Sequence, residues 1–135
     1  MNEFINKLME LETSVATEKG SFSLFALFLR EDAPDVWDLL ISAPWIEIDK
    51  QAALRYIAEK LNVLASPEEL TKLSRIVIIE RSNPALEAFH SAISAEHQKI
   101  EIKDSNFFGL QIKHAYIFTS RRADEINQPL LISGV

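Results

Sequence analysis

Three residues on two predicted strands are the best candidates for acid–base chemistry. Glu101 and Lys103 lie two positions apart in the predicted strand at residues 99–103. Because alternate side chains of a strand point to the same side, this acid and this lysine share a face, where they could hold a metal ion and orient a water molecule. His114 lies on the predicted strand at residues 110–121, beside Tyr116, and histidine titrates near neutral pH.

His114 has two interpretations, because the pattern places it on the apolar face of its strand. It is either a core histidine satisfied by hydrogen bonds, which is the usual state of a buried polar group, or it lines a ligand pocket together with Tyr116. The predicted face contains five alternating residues: Leu110, Ile112, His114, Tyr116 and Phe118.

The Glu-Ile-Lys spacing at residues 101–103 resembles the Glu-x-Lys half of the PD-(D/E)xK nucleases. The resemblance covers five residues and implies that Asp35, in Pro34-Asp35, is the second acid of a metal-dependent nuclease. In that family the two elements usually lie on adjacent strands of one hairpin, whereas here two helices, a strand and a third helix are predicted between them. An acid-x-Lys pair on an outward strand face is also the pattern of a cross-strand charge pair. The catalytic candidates are His114, Glu101, Lys103 and Asp35.

Several other chemistries have no matching pattern. The chain has no cysteine and only three glycines, none of them in a glycine-rich loop. There is no Gly-x-Ser-x-Gly nucleophile elbow, no phosphate-binding loop and no histidine spacing typical of a zinc site. We therefore expect no cofactor and no metal ligand set.

Charge and hydropathy indicate the kinds of partner. The formal net charge is −6, and residues 1–70 carry 13 acidic but only 6 basic residues. Nucleic-acid binding needs a concentrated basic surface, so we expect no such partner. No segment approaches the ~20 apolar residues of a membrane span, and the first helix is too acidic for a signal peptide. With the absence of cysteine, these features lead us to expect a cytoplasmic protein.

Exposed apolar residues indicate where a partner would bind. Trp45 lies just after the second predicted strand, and Phe107 and Phe108 fall in a predicted turn at residues 104–109. The two phenylalanines either fold back over the edge of the sheet or anchor a partner, since aromatic residues are enriched at interface hot spots. The interface candidates are Trp45, Phe107, Phe108, Leu130, Leu131 and Ile132.

Two predicted strands, at residues 22–29 and 75–80, are apolar on both faces. Such strands must be covered on both sides, by helices or by a second copy of the protein. The residue pattern predicts an α+β fold with a five-stranded mixed, mostly antiparallel sheet in the order α-β-β-α-α-β-α-β-β, and with helices on at least one face. We expect residues 1–122 to form a single domain and residues 123–135 to form an apolar tail that docks on the domain or on a partner.

The strand patterns also predict neighbours. We expect strands one and two to form a hairpin, and we expect strand three to be central because it contains four consecutive apolar residues. Strand three, the helix after it and strand four would form one parallel crossover.

Without a credible catalytic constellation, the leading functional hypothesis is a non-catalytic interaction module that forms a homodimer or binds another cytosolic protein. The alternative is a ligand-binding domain or small enzyme with a pocket near His114 and Tyr116, or the metal-dependent nuclease that uses Glu101 and Lys103.

Overall fold

The structure is a computed structural model that describes residues 1–122. Three of the five helices in this part of the chain begin at a residue whose side chain caps them. Asp49 accepts a hydrogen bond from the Ala52 amide at the start of α3. Ser66 and Glu69 form a capping box at the start of α4, and the side chain of Asn83 caps α5. No helix in residues 1–122 has the length and apolar composition needed to cross a lipid bilayer. The helices are α1 (Asn2–Lys19), α2 (Pro44–Ile48), α3 (Lys50–Leu64), α4 (Pro67–Thr71) and α5 (Pro84–Ala92).

The strands form one five-stranded mixed sheet in the order β3-β2-β1-β5-β4. Strands β2 and β3 are parallel, and the other neighbours are antiparallel. This arrangement confirms the predicted α+β class and the predicted hairpin of the first two strands. The short helix α2 is an addition to the predicted order. The strands are β1 (Leu24–Arg30), β2 (Trp37–Ser42), β3 (Leu73–Ile78), β4 (Ile100–Phe107) and β5 (Leu110–Ser120).

Helices cover the sheet unequally on its two sides. Helices α1 and α3 pack on one side, which we call the two-helix face, against Phe25, Leu27 and Phe118. Helix α5 packs on the other side, the one-helix face, against Phe28 and neighbouring apolar residues of β2 and β5. Strand β1 is buried on both faces because it lies at the centre of the sheet, between β2 and β5.

Two predictions about strand three are wrong. Strand β3 lies at an edge of the sheet rather than in its centre. It is also far from β4, which forms the opposite edge, so the two strands share no parallel crossover. The parallel neighbour of β3 is β2, and the connection between them contains α2, α3 and α4. Apolar side chains on both faces of a strand indicate that both faces are covered. They carry no information about whether a neighbouring strand pairs with its edge.

The β4–β5 hairpin differs from its predicted boundaries. Strand β4 continues to Phe107, through most of the predicted turn, and the connection consists of Phe108 and Gly109. Both residues have positive φ, 56° and 73°, which is the conformation of the tight turn that matches strand twist. The ring of Phe108 stacks on Phe89 with centroids 5.5 Å apart, and this packing holds a bulky residue in a backbone conformation that such residues rarely adopt.

A register shift in β5 changes which residues share a face. The pairing of β1 with β5 shifts between Leu29, which is opposite His114, and Arg30, which is opposite Ile112. Ile112 therefore packs in the cluster on the one-helix face, while His114 contacts Trp37 of the other cluster. The predicted single face from Leu110 to Phe118 is wrong for this reason, since one extra residue inverts the alternation of a strand.

Candidate functional site

The outer edge of β3 presents backbone groups that point away from the sheet. The amide of Ile79 donates to the carbonyl of Ile41 in β2 at 2.9 Å. Successive residues of a strand point alternately towards and away from the neighbouring strand, so the N–H and C=O groups of Ile76 and Ile78 point outwards. Within residues 1–122 no strand lies beyond β3.

An apolar groove lies beside this edge. It has a volume of about 440 Å³ and is bounded by α3, α4 and β3, with Leu54, Leu61, Leu70 and Ile76 among its lining residues. Arg75 also lines the groove, and its side chain is 52% exposed. The groove therefore offers an apolar surface for a side chain next to backbone groups that can pair with a strand.

The charged residues of β3 and the loop after it already have partners. Arg75 bonds to the buried Asp38 with Nε 3.3 Å from Oδ1, and Arg30 bonds to the other oxygen of the same carboxylate. Glu80 pairs with Lys50. Arg81 pairs with Glu47, its Nε 3.3 Å from Oε1. A chain that approaches this edge therefore meets apolar side chains flanked by neutralised charges.

The predicted chemical residues on β4 and β5 do come together. Glu101 is opposite Tyr116 and Lys103 is opposite His114, so all four side chains project to the same face. The Nε2 atom of His114 lies 2.5 Å from Oε2 of Glu101, and its ring packs on Trp37 and Tyr116. The result is an imidazole held by a carboxylate and two aromatic rings.

These contacts shift the pKa values of two side chains. The hydrogen bond from His114 lowers the pKa of the Glu101 carboxyl below its ordinary value of 4.5. Burial raises the pKa of the Tyr116 phenol, and the nearby Glu101 charge raises it further. A carboxylate that fixes an imidazole in this way can orient one ring nitrogen towards a ligand or a proton donor.

Asp35 is distant from this group along the sheet. It lies in the connection between β1 and β2, whereas Glu101 lies on β4, and strands β1 and β5 separate β2 from β4. Among residues 1–122 no three His, Asp or Glu side chains are placed together to hold a metal ion. The structure brings Glu101, Lys103 and His114 together but leaves Asp35 apart from them, and the nuclease stays a prediction from the sequence.

The aromatic interface candidates make contacts within the chain. Phe107 and Phe108 fold back onto Phe28 and Phe89, with ring centroids 4.9–6.2 Å apart. Trp45 is the second residue of the short helix α2, and its ring packs edge-on against Phe22 with the centroids 5.8 Å apart. Each of the three candidates is partly exposed. Leu130, Leu131 and Ile132 lie outside the described residues.

A second polar group was not recognised as a site from the sequence. Glu12 of α1 is 1% exposed, and its carboxylate bonds to Nδ1 of His97 at 2.7 Å and to the hydroxyl of Thr119 at 3.0 Å. In the sequence Glu12 lies at the margin of the apolar helical face formed by Leu8, Leu11 and Val15, a position that indicates partial burial. Its partners are 85 and 107 residues away in the chain, so no local pattern could have identified them.

Comparison with known protein families and with curated proteins finds no match to this chain. The functional argument therefore depends on the geometry of the edge of β3 and of the group around His114.

Proposed function

We propose that this protein is a non-catalytic protein-interaction module that binds a partner strand along the outer edge of β3. The observation that supports the proposal is that β3 has the side chains of a central strand in an edge position. Ile76, Val77, Ile78 and Ile79 are consecutive, and each is only partly buried. The proposal includes the cytosolic location expected from the sequence.

The opposite edge of the sheet provides the comparison. Edge strands of monomeric proteins are commonly protected by charged side chains, bulges or proline. Strand β4 has this protection, with Glu101, Lys103 and Asp104 in sequence and a positive φ of 52° at Asp104. Strand β3 contains one charged residue, Arg75, which pairs with the buried Asp38, and no charged residue, glycine or proline occurs at residues 76–79. The two edges of one sheet differ in the way expected if one is solvent-facing and the other is paired.

Strand addition would use both features of the β3 edge. The outward N–H and C=O groups of Ile76 and Ile78 supply main-chain hydrogen bonds, which give affinity in this mode of recognition. The groove lined by Leu54, Leu61 and Ile76 would receive an apolar side chain of the incoming strand. Pairing also removes partly exposed isoleucine surface from water, which is favourable by about 25 cal/mol per Å².

The test compares two matched variants. Val77→Lys introduces a charge at the β3 edge, and Ile102→Lys introduces the same charge on the partly buried one-helix side of β4. We expect tagged wild-type protein and Ile102→Lys to retain the same proteins from a native lysate, quantified by mass spectrometry, and Val77→Lys to lose them. Identical sets of retained proteins for all three would contradict the proposal.

The contact between His114 and Glu101 favours a second candidate, a small-ligand site around this histidine. This site predicts that native protein carries a small molecule detectable by native mass spectrometry. His114→Ala should reduce its occupancy more than it reduces the melting temperature. Equal occupancy in the two proteins would count against the ligand site.

A further inference from the structure

We infer that the strand bound by β3 is the β3 strand of a second copy of this chain, antiparallel to the first around a two-fold axis at Val77. This inference rests on the proposed role of the β3 edge and specifies its partner. The product would be a continuous ten-stranded sheet made from two five-stranded sheets.

Symmetry restricts how two copies of β3 can pair. When a two-fold axis relates two antiparallel edge strands of one continuous sheet, the axis is perpendicular to the sheet, and each copy keeps the same face on the same side. Residues directly opposite each other must then share a face. Ile76 and Ile78 belong to the two-helix cluster, whereas Val77 belongs to the one-helix cluster. Val77 can therefore be opposite Val77 of the second copy, and Ile76 opposite Ile78.

The hydrogen-bonding groups agree with this register. Ile76 and Ile78 are the residues whose backbone groups point outwards, so each pair of them across the interface would exchange two N–H···O=C bonds. The two Val77 residues would form the closely spaced pair on the axis, which makes no backbone hydrogen bonds. Every outward backbone group from Ile76 to Ile78 would thus acquire a partner.

Neighbouring registers are less favourable. Moving the axis to Ile78 places Ile76 opposite Glu80 of the second copy, and moving it to Ile76 places Ile78 opposite Ser74. The axis at Val77 places apolar residues opposite one another at positions 76–78 and leaves Arg75, which already pairs with Asp38, opposite Ile79. It also meets no unpaired charge, since Arg75 and Glu80 already pair with Asp38 and Lys50.

In this dimer the groove would accommodate the apolar side chains that lie on the two-helix face of the interface. Ile76 lines the groove, and Ile78 of the second copy would project beside it from the directly opposite position. Because a two-fold contact is self-complementary, the same isoleucine pair forms twice. Each copy would therefore place one apolar side chain at the mouth of the groove of the other.

Sedimentation of the full chain provides the first test. We expect wild-type protein and Ile102→Lys to have twice the chain mass of 15.3 kDa over the micromolar range. Val77→Lys should weaken dimerisation by at least about 100-fold, because two like charges would be buried against each other on the axis. Circular dichroism establishes that each variant keeps its secondary structure.

A single cysteine provides a second test with a small substitution, since the chain contains none. Directly opposite residues in a closely spaced antiparallel pair have Cα atoms about 4.5 Å apart, which is within the range that a disulfide spans. We expect Val77→Cys to form a disulfide-linked dimer under mild oxidation. Ile102→Cys, on the opposite edge of the sheet, should remain a single chain on a non-reducing gel.

Two results would overturn the inference. If the full-length protein sediments as a monomer throughout the micromolar range, β3 does not bind a second copy. If the protein is a dimer and Val77→Lys leaves the dimer intact, the dimer forms through another surface. The broader proposal fails separately. If the purified chain is monomeric while Val77→Lys still loses a lysate protein, the β3 edge binds a different partner. If Val77→Lys changes neither assembly nor capture, both the inference and the interaction role of this edge are wrong.

Discussion

Replacing Glu12 by alanine should remove a large part of the folding free energy. The carboxylate is 1% exposed and accepts bonds from His97 and Thr119 at 2.7 and 3.0 Å. Each hydrogen bond to a charged group contributes about 1.5–3 kcal/mol after desolvation is counted. Two such bonds give an expected loss of about 3–6 kcal/mol, close to the cost of about 3–5 kcal/mol for breaking other buried charged contacts. A domain of this size is stable by only about 5–15 kcal/mol.

Urea denaturation monitored by tryptophan fluorescence measures this loss of unfolding free energy. The protein concentration is kept the same for all variants, because self-association would add to stability. Glu10→Ala is the matched control, since Glu10 is exposed on the same helix and makes the same change in helix propensity. A double-mutant cycle with Thr119→Val should give a coupling energy of about 1–2 kcal/mol. If Glu12→Ala and Glu10→Ala lose stability equally, the Glu12 carboxylate does not link α1 to the segment before β4 and to the end of β5.

Two further predictions concern the remaining polar and aromatic groups. The lowered pKa of Glu101 means that its contribution to stability is present above the ordinary value of 4.5 and is lost as pH falls through the folded-state pKa. Carboxyl chemical shifts should show this titration move upwards in His114→Ala, and an unchanged titration would refute the contact. Phe89 is 2% exposed within the aromatic cluster, so Phe89→Ala should lose about 3–5 kcal/mol in urea denaturation and Phe89→Leu clearly less. Equal losses in the two variants would contradict this expectation, because they would mean that the volume filled by leucine recovers no stability.

The sequence predicts most of the fold through local signals. Caps such as Ser66 and Asn83 and the apolar periodicity of α1 identify helices because their causes lie within a few residues. The position of β3 could not be predicted in the same way. Its Ile-Val-Ile-Ile run describes what lies above and below the strand, whereas strand order depends on contacts between distant parts of the chain.

The candidate site shows the same division. Strand alternation correctly places Glu101 and Lys103 on one face, because the pairing of β4 with β5 is regular from Glu101 to Lys103. Alternation fails for Ile112 and His114 because the pairing of β1 with β5 shifts between these two residues. A shift of one residue exchanges the two faces of a strand. Pairs such as Glu12 and His97 need the complete tertiary structure.

The central position of β1 has a consequence for synthesis on the ribosome. Its neighbour β2 emerges soon after it, but its other neighbour, β5, begins 80 residues after β1 ends. Until β5 has been made, the nascent chain holds its most apolar strand with one edge unpaired, the state in which partly folded proteins aggregate. The sheet therefore closes only after translation of β5, and a chaperone that shields apolar strands would act on residues 24–30 during that interval.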